Sequence, residues 1–160
     1  MQGTLESSAQ LGRTEGFAKV LKHHDNWNML GSETGDFTQA RGYEVMAEFL
    51  KEYPDIDVVV CENDNMAFGA IEAIEDAGKT VGADGDMIII SFDAAKAGLE
   101  EVRDGNIAVD FECNPLLGPE IDMIIKKLEN GESVGKATYV KEAYFDFTMD
   151  MKNNIDRRKY

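Results

Sequence analysis

The sequence lacks the features that mark a secreted disulfide scaffold, a membrane-spanning protein or a nucleic-acid-binding protein. Its 160 residues include only two cysteines, which are too few for a disulfide framework. No apolar run approaches the roughly 18 residues that a membrane span requires. Basic residues are scarce, because 16 lysines and arginines stand against 31 acids and give a net charge of −15. Since neutralising phosphates requires a basic face, we expect no nucleic-acid partner.

Catalytic and targeting motifs are also missing from the sequence. There is no G-x-S-x-G elbow, no H-E-x-x-H pair, no P-loop and no calcium loop of the D-x-[DN]-x-[DN]-G type. His23 and His24 are adjacent and would point to different sides of a helix, which disfavours a metal site. The first residues do not have the charged-then-apolar order of a signal peptide. We therefore expect no enzyme activity, no catalytic residue, no metal, no cofactor and no signal peptide.

Short apolar runs alternate with amphipathic segments along the chain. Continuous runs of β-branched residues indicate buried strands at 57–61 and 87–91, covered on both faces. Weaker strand predictions fall at 27–30, 107–112, 137–142 and 144–147. Helical spacing of apolar residues predicts helices at 8–22, 39–52, 65–77, 95–103 and 119–129. This order predicts a doubly wound α/β fold, with a mostly parallel sheet and helices on both faces.

The chain reads as one domain over residues 1–150, followed by a polar tail or surface helix at 151–160. Only Met1 to Thr4 precede the first helix, and we expect them to be the end of a sheet strand. Cys61 and Cys113 each end an apolar run and are predicted to be buried thiols.

Candidate binding residues follow the predicted strands, where ligands bind in open α/β sheets. An aromatic ring can pack on the apolar face of a sugar, while amides, carboxylates and a guanidinium bond its hydroxyls. The polar and aromatic groups in question are Thr4, Phe37, Asn63, Asp93 and Cys113, with Arg13 on the first helix.

Each of these residues has a simpler structural interpretation. Asn63 and Asp64 are suited to capping the helix that follows them, and Asp93 is suited to capping the helix from 95. Phe37 is placed to staple the helix from 39, and Arg13 could be an ordinary solvated helix residue. Only their coincidence at one sheet edge favours a ligand site.

Five motifs follow one another in order along the chain: Gly3-Thr4, Arg13-Thr14-Glu15-Gly16-Phe17, Gly35-Asp36-Phe37, residues 62–70 and Ser91-Phe92-Asp93. Together they resemble the second half of ribose-type periplasmic sugar-binding proteins, and residues 109–119 are most similar to the galactofuranose-binding branch. The resemblance covers about residues 2–150. It implies one Rossmann-like lobe of a two-lobed fold, with a sugar held between the lobes.

The resemblance also implies functions for particular positions. Arg13 would reach sugar oxygens, Phe37 would pack on the ring, and ribose binders usually carry glutamine at the position of Cys113. The sugar contacts that it implies from this lobe are Thr4, Arg13, Phe37, Asn63, Asp93, Glu112 and Cys113.

The family's amino-terminal lobe is not part of this sequence. The helix within 116–130 would pack on that lobe, so we expect it to fold back on its own lobe or to pair with a second copy as a homodimer. The family implies a monosaccharide ligand, an ABC transporter permease as partner of the full-length protein, and an extracytoplasmic location. With half of the cleft missing, sugar binding is expected to be weak or lost.

Two other functions share this core. A lactose-repressor-type transcription regulator needs a basic helix-turn-helix headpiece, and a receptor sensor domain needs an adjoining membrane helix. Neither is present in these 160 residues. A flavodoxin-like enzyme would need a phosphate loop, which is also missing, so a transport binding protein is the favoured function.

Overall fold

Helices and short strands alternate in the computed structural model, which describes all 160 residues. The elements are α1 (Ser8–Leu21), α2 (Gln39–Glu52), β1 (Val58–Val60), α3 (Asp64–Asp76), β2 (Ile88–Asp93), α4 (Lys96–Asp104), β3 (Val109–Glu112), α5 (Gly118–Glu129), β4 (Tyr144–Asp146) and α6 (Met151–Arg157). None of the helices combines the length and the hydrophobicity that a membrane crossing requires.

The strands form one open sheet in the order β1-β2-β3-β4. β1, β2 and β3 are parallel, with Val59 opposite Ile89 and Ser91 opposite Asp110. β4 runs antiparallel to β3. The mostly parallel α/β sheet expected from the sequence is therefore confirmed.

The first residues extend this sheet beyond β1. The Met1 amine donates to the Val60 carbonyl at 2.6 Å, and the Glu62 N–H donates to the Met1 carbonyl at 3.1 Å. On its other side, Gln2 forms a parallel bridge with Thr34. Met1 and Gln2 thus lie between two neighbouring extended segments, as expected for the end of a strand.

The core lies on the face of the sheet to which Val59, Ile89 and Ser91 point. Side chains alternate along a strand, so Val58 and Phe92 point to the opposite face, where they line a cavity beneath α1. Each fully buried aliphatic side chain stabilises the fold by about 1.5–3 kcal/mol. The largest of these side chains are Met46, Met66, Ile74, Met87, Ile89, Leu99 and Ile107.

Two weaker strand predictions are wrong. Residues 27–30 have no strand, because the pairing beyond Met1 and Gln2 is limited to the single bridge at Thr34. Residues 137–142 also have no strand, since β4 at 144–146 is the only segment there that pairs with β3. The predicted apolar side of α1 is incomplete as well, because Leu11 and Val20 are 48 % and 56 % exposed.

Of the two alternatives predicted for 151–160, a polar tail or a surface helix, the structure has a helix, but one that is partly buried. This segment forms α6, whose Met151 and Ile155 are buried in the core. The two apolar residues lie four positions apart and therefore share one helix face. Beyond α6, the Lys96 N–H donates to the Tyr160 carbonyl at 2.7 Å, which fixes the end of the chain against the start of α4.

Helix α5 is separate from this core. It has no buried residue, and Ile121, Ile125 and Leu128 are each about half exposed. The expectation that this helix folds back on its own lobe is therefore wrong. Its apolar side remains open to a partner.

Candidate functional site

Arg13 lies at the centre of the candidate site. One of its terminal nitrogens forms an ion pair with Asp93 Oδ1 at 2.9 Å, and the other donates to the Glu62 carbonyl. Only 13 % of the Arg13 side chain is exposed. The interpretation of Arg13 as a solvated helix residue is wrong, because it joins α1 to the ends of β1 and β2.

Two aromatic rings flank the Arg13 guanidinium. Its central carbon lies 5.9 Å from the centroid of Phe37 and 5.1 Å from that of Phe92. These distances are within the range of cation–π attraction. The cation and the two rings together form a surface with both apolar and hydrogen-bonding parts, which is the combination that a sugar requires.

The loops around Arg13 have unusual backbone conformations. Asp36 and Phe37 have φ values of 52° and 57°, and Asp93 and Ala94 have φ values of 108° and 51°. Non-glycine residues seldom occupy this left-handed region, where each costs of order 1–3 kcal/mol. Such strain clusters at functional sites, so its presence in both loops supports a ligand site here.

Asn63 connects two of these segments. Its Oδ1 accepts the Met66 N–H at 3.0 Å, which caps α3, and its Nδ2 donates to the Phe37 carbonyl at 3.2 Å. The capping interpretation of Asn63 is therefore confirmed. An amide has two N–H groups and two acceptor positions, so these bonds use one donor and one acceptor position of the buried Asn63 side chain. The role of Asn63 as a sugar contact stays a prediction.

Glu62 fixes the inner wall of the site. Its carboxylate accepts the Gly3 N–H at 2.8 Å and the Thr14 hydroxyl at 2.5 Å.

Thr4 is exposed and donates to Asp36 Oδ1 at 2.6 Å, next to Phe37. The N4 position of α2 is a glycine, so Phe37 does not act as a staple for that helix. Its ring instead packs on Gly3.

Asp93 does not cap α4, whose N-cap Ala95 has no side-chain cap. Burial raises the pKa of Asp93 above its ordinary value, and the Arg13 charge opposes this rise.

The Cys113 N–H donates to the Asp93 carbonyl at 3.1 Å, which places Cys113 beside the site. Cys113 is exposed, so the buried-thiol prediction is wrong for it. The prediction is confirmed for Cys61, where burial raises the thiol pKa to about 12.

Glu112 contacts the end of the chain. Its Oε1 accepts from Arg158 at 2.6 Å and from the Tyr160 hydroxyl at 2.8 Å, while Oε2 accepts the Ala143 N–H at 3.0 Å. Burial alone would raise the pKa of Glu112, but these hydrogen bonds outweigh it and hold the pKa below its ordinary value. The role of Glu112 as a sugar contact stays a prediction.

The structure thus brings Arg13, Phe37 and Asp93 together with the Glu62 carbonyl, and we call this group the rim. Asn63 supports the rim through the Phe37 carbonyl, whereas Thr4, Glu112 and Cys113 lie at its margins. Glu62 and Phe92 were not among the predicted site residues, although each is adjacent in sequence to one of them, Asn63 and Asp93 respectively. No group of three or more His, Cys, Asp or Glu side chains is placed to hold a metal ion.

A cavity that the sequence did not indicate adjoins the rim. It has a volume of about 580 Å³ and lies between α1, residues 26–32 and β1. Arg13 and Phe92 form part of its wall. The rest of its lining is mainly apolar and includes Phe17, Leu21, Trp27, Leu30 and Val58.

Comparison with known proteins identifies relatives of this fold. Residues 1–111 match the family model described as a periplasmic binding protein domain. The galactofuranose-binding protein YtfQ of Escherichia coli is 33 % identical over 99 % of this chain and 50 % of its own length. The ribose import binding protein RbsB of Escherichia coli is 33 % identical over 90 % of this chain and 45 % of its own length. The chain therefore spans about half the length of these relatives.

Solved structures agree with the sequence relatives. A Mycobacterium smegmatis protein in complex with β-D-fucofuranose superposes with a TM-score of 0.89 at 39 % identity, covering all of this chain and 52 % of that one. A Shewanella binding protein of an arabinose ABC transporter, bound to α- and β-L-arabinofuranose, gives a TM-score of 0.89 at 31 % identity, covering 99 % of this chain and 53 % of that one. The chain belongs to the periplasmic binding protein family, in its ribose- and galactofuranose-type group of sugar-binding proteins.

Proposed function

We propose that this chain is one sugar-binding lobe of an ABC-transporter substrate-binding protein and that its rim contacts a monosaccharide. The supporting observation is the bridge that Arg13 makes between the Glu62 carbonyl and Asp93 while it lies against Phe37 and Phe92. Guanidinium, carboxylate and amide groups supply directional bonds to neighbouring hydroxyls, and the rings cover the C–H face.

The proposed ligand is a sugar in its furanose form. Two relatives with the same fold and at least 31 % identity were solved with fucofuranose and arabinofuranose, and another relative is named for galactofuranose. A five-membered ring with a short exocyclic arm fits a site with two aromatic rings, Phe37 and Phe92, around one guanidinium and a few convergent polar groups. This lobe binds and orients the sugar and performs no reaction on it.

The proposed partners follow from the family. A second lobe closes over the sugar, an ABC transporter permease receives it, and the full-length protein works outside the cytoplasm. Because this chain supplies one side of the cleft, its affinity alone is expected to be in the millimolar range, where a Kd of 1 mM corresponds to about −4 kcal/mol.

Helix α5 is proposed to pair with a second copy of the chain when no other lobe covers it. Its apolar side recurs at three- and four-residue spacing and is exposed. Burying each of these side chains would contribute on the order of 1.5–3 kcal/mol. The exposed residues of this side are Ile121, Ile125 and Leu128, with the half-buried Ile124 between them and Leu117 at the N-cap.

Titration of the ¹⁵N-labelled chain with L-arabinose and D-galactose tests the sugar proposal. We expect the backbone amides of Phe37, Asn63 and Ala94 to shift at millimolar sugar, and we expect Arg13→Ala to abolish those shifts. Arg103→Ala is the control, since Arg103 is exposed and pairs with its neighbour Asp104. Shifts scattered over the surface, or unchanged in Arg13→Ala, would contradict a sugar site at the rim.

A further inference from the structure

Two carboxyl groups lie buried beneath the rim, outside the set of residues selected as sugar contacts. Asp64, the first residue of α3, is 3 % exposed, and Asp110 of β3 is fully buried. Gly98 of α4 packs directly on both of them. A Cβ added there would lie 2.5 Å from Asp110 Oδ2 and 2.6 Å from Asp64 Cγ. Only a glycine leaves space for the two carboxyl groups to meet under α4.

The two carboxyl groups hold the turn that follows Asp93. Asp110 Oδ1 accepts the Ala94 N–H at 3.1 Å, and Asp64 Oδ2 accepts the Ala95 N–H at 2.9 Å. Asp93 and Ala94 are the residues with φ values of 108° and 51°. A strained turn persists only where its surroundings fix it, and here the fixing bonds come from this carboxyl pair.

The hydrogen bonds of the pair are unequal. Asp64 accepts two donors, the Ser91 hydroxyl at 2.8 Å and the Ala95 N–H. Asp110 accepts one, and its Oδ2 is the buried side-chain atom that lacks a partner. A carboxylate oxygen left unpaired in the interior is costly, and two neighbouring buried carboxylates cannot both ionise readily. A proton on Asp110 Oδ2, donated toward Asp64, removes both costs.

We propose that Asp64 and Asp110 share one proton beneath Gly98 and that this pair is the positioning element that holds Asp93 in place for Arg13 and the sugar. Asp110 carries the proton for most of the time, since Asp64 has more donors to stabilise its charge. Both are positioning residues that act through the turn at 93–95. The link to sugar rests on the proposed function, whereas the shared proton does not.

The surrounding charges agree with this assignment. Burial raises the pKa of Asp110 to about 9 and that of Asp64 to about 6. Asp93 on β2 adds a negative charge that raises both, and it is itself paired with Arg13 of α1. The residue of α4 that packs on the pair is Gly98, which carries no charge. Neither carboxyl forms an ion pair with a lysine or an arginine.

The first test needs no mutation. The side-chain ¹³C shifts of the aspartates are followed from pH 4 to pH 10 in the intact chain. We expect one carboxyl of the pair to remain protonated at pH 7 and to titrate in alkaline solution, together with a shift of the Ala94 and Ala95 amides. Two ionised carboxyls at pH 7 would overturn the proposal, whether or not the chain binds sugar.

The second test uses Asp110→Asn and Asp64→Asn. An asparagine at 110 keeps an acceptor for Ala94 and supplies a donor toward Asp64, so we expect the turn amides to remain in place. An asparagine at 64 has one oxygen for two donors, so we expect the Ala95 amide to lose its protection from hydrogen exchange. The opposite asymmetry would overturn the assignment of the proton to Asp110.

The pH dependence of folding gives the third readout. An unfolded aspartate is ionised above about pH 4, whereas the folded pair retains a proton. The ratio of folded to unfolded wild-type chain should therefore fall as the pH rises from 6.5 to 8.5. For each pH unit, it should fall about tenfold more than the same ratio falls in Asp110→Asn. The exposed Asp104→Asn serves as the control and should keep the wild-type slope. Equal slopes for wild type and Asp110→Asn would refute the bound proton.

Discussion

The ion pair between Arg13 and Asp93 joins two segments that are 80 residues apart in the chain, with 2.9 Å between Nη2 and Oδ1. The buried carboxyl pair accepts hydrogen bonds from the turn that follows Asp93 and so fixes the position of Asp93. Arg13 is fixed by its second hydrogen bond, which it donates to the Glu62 carbonyl. The geometry of the rim is therefore set before any ligand arrives, which reduces the ordering that binding requires.

Replacing Arg13 with alanine should weaken sugar binding more than it weakens the fold. A hydrogen bond to a charged group contributes about 1.5–3 kcal/mol, and every 1.4 kcal/mol is tenfold in affinity. We therefore expect a loss of about 10- to 100-fold, measured by titration calorimetry on the lobe joined to its complementary lobe. A loss of similar size in Arg103→Ala would indicate a general effect of charge rather than a contact at the rim.

Gly3→Ala should displace the Phe37 ring. A Cβ on Gly3 would overlap three atoms of that ring, so the side chain must move away from the rim. We expect lost sugar affinity and a moderate loss of stability, of about 1–3 kcal/mol, as is usual for overpacking. Gly16→Ala is a matched control, because a Cβ on this helical glycine meets nothing within 4 Å. That variant should be stabilised by up to about 1 kcal/mol in urea unfolding.

The parallel strands and the positions of Asn63 and Asp93 at one sheet edge could be predicted because both depend on local patterns. The stretches Val58 to Cys61 and Met87 to Ile90 are apolar throughout, which places Asn63 and Asp93 at the same sheet edge. The carboxyl pair could not be predicted, because nothing local distinguishes Asp64 and Asp110 from the other acids of the chain. Their interaction depends on the register of β3 against β2 and on the approach of Gly98. The packing of α6 was missed because only Met151 and Ile155 signal it.

Glu112 should support the carboxyl end of the chain in a pH-dependent way. Its pKa is lowered in the folded chain by Tyr160 and Arg158, so its contribution is present above about pH 4.5 and is lost as the pH falls through the lower folded value. Glu112→Gln should lower stability at pH 7 by about 1–3 kcal/mol and reduce the loss on acidification. Unfolding in urea between pH 7 and pH 3 measures both effects. The exposed Glu132→Gln should match the wild type at every pH.

Helix α5 should determine the oligomeric state of the isolated chain. Ile121 and Ile125 lie four residues apart on its exposed apolar side. Sedimentation equilibrium should show a dimer for the wild type and a monomer for the Ile121→Glu/Ile125→Glu variant. The polar side offers a control in Lys127→Glu, which should still dimerise. A monomeric wild type with α5 still helical would contradict pairing through this surface.

The open edge of β1 should show an alternating pattern of hydrogen exchange. β2 is the one strand that pairs with β1, and the Asp57 carbonyl and the Cys61 N–H both bond toward β2. On the other edge of β1, the Val60 carbonyl accepts from the Met1 amine, which leaves the N–H groups of that edge without a strand partner. Because backbone groups alternate between the two edges of a strand, the Val59 N–H also faces β2, whereas the N–H groups of Val58 and Val60 face the cavity beside residues 26–32. Exchange monitored by NMR should therefore be slow at Val59 and Cys61 and fast at Val58 and Val60. Equal protection of all four amides would mean that residues 26–32 close onto β1 in solution and that the cavity is not retained.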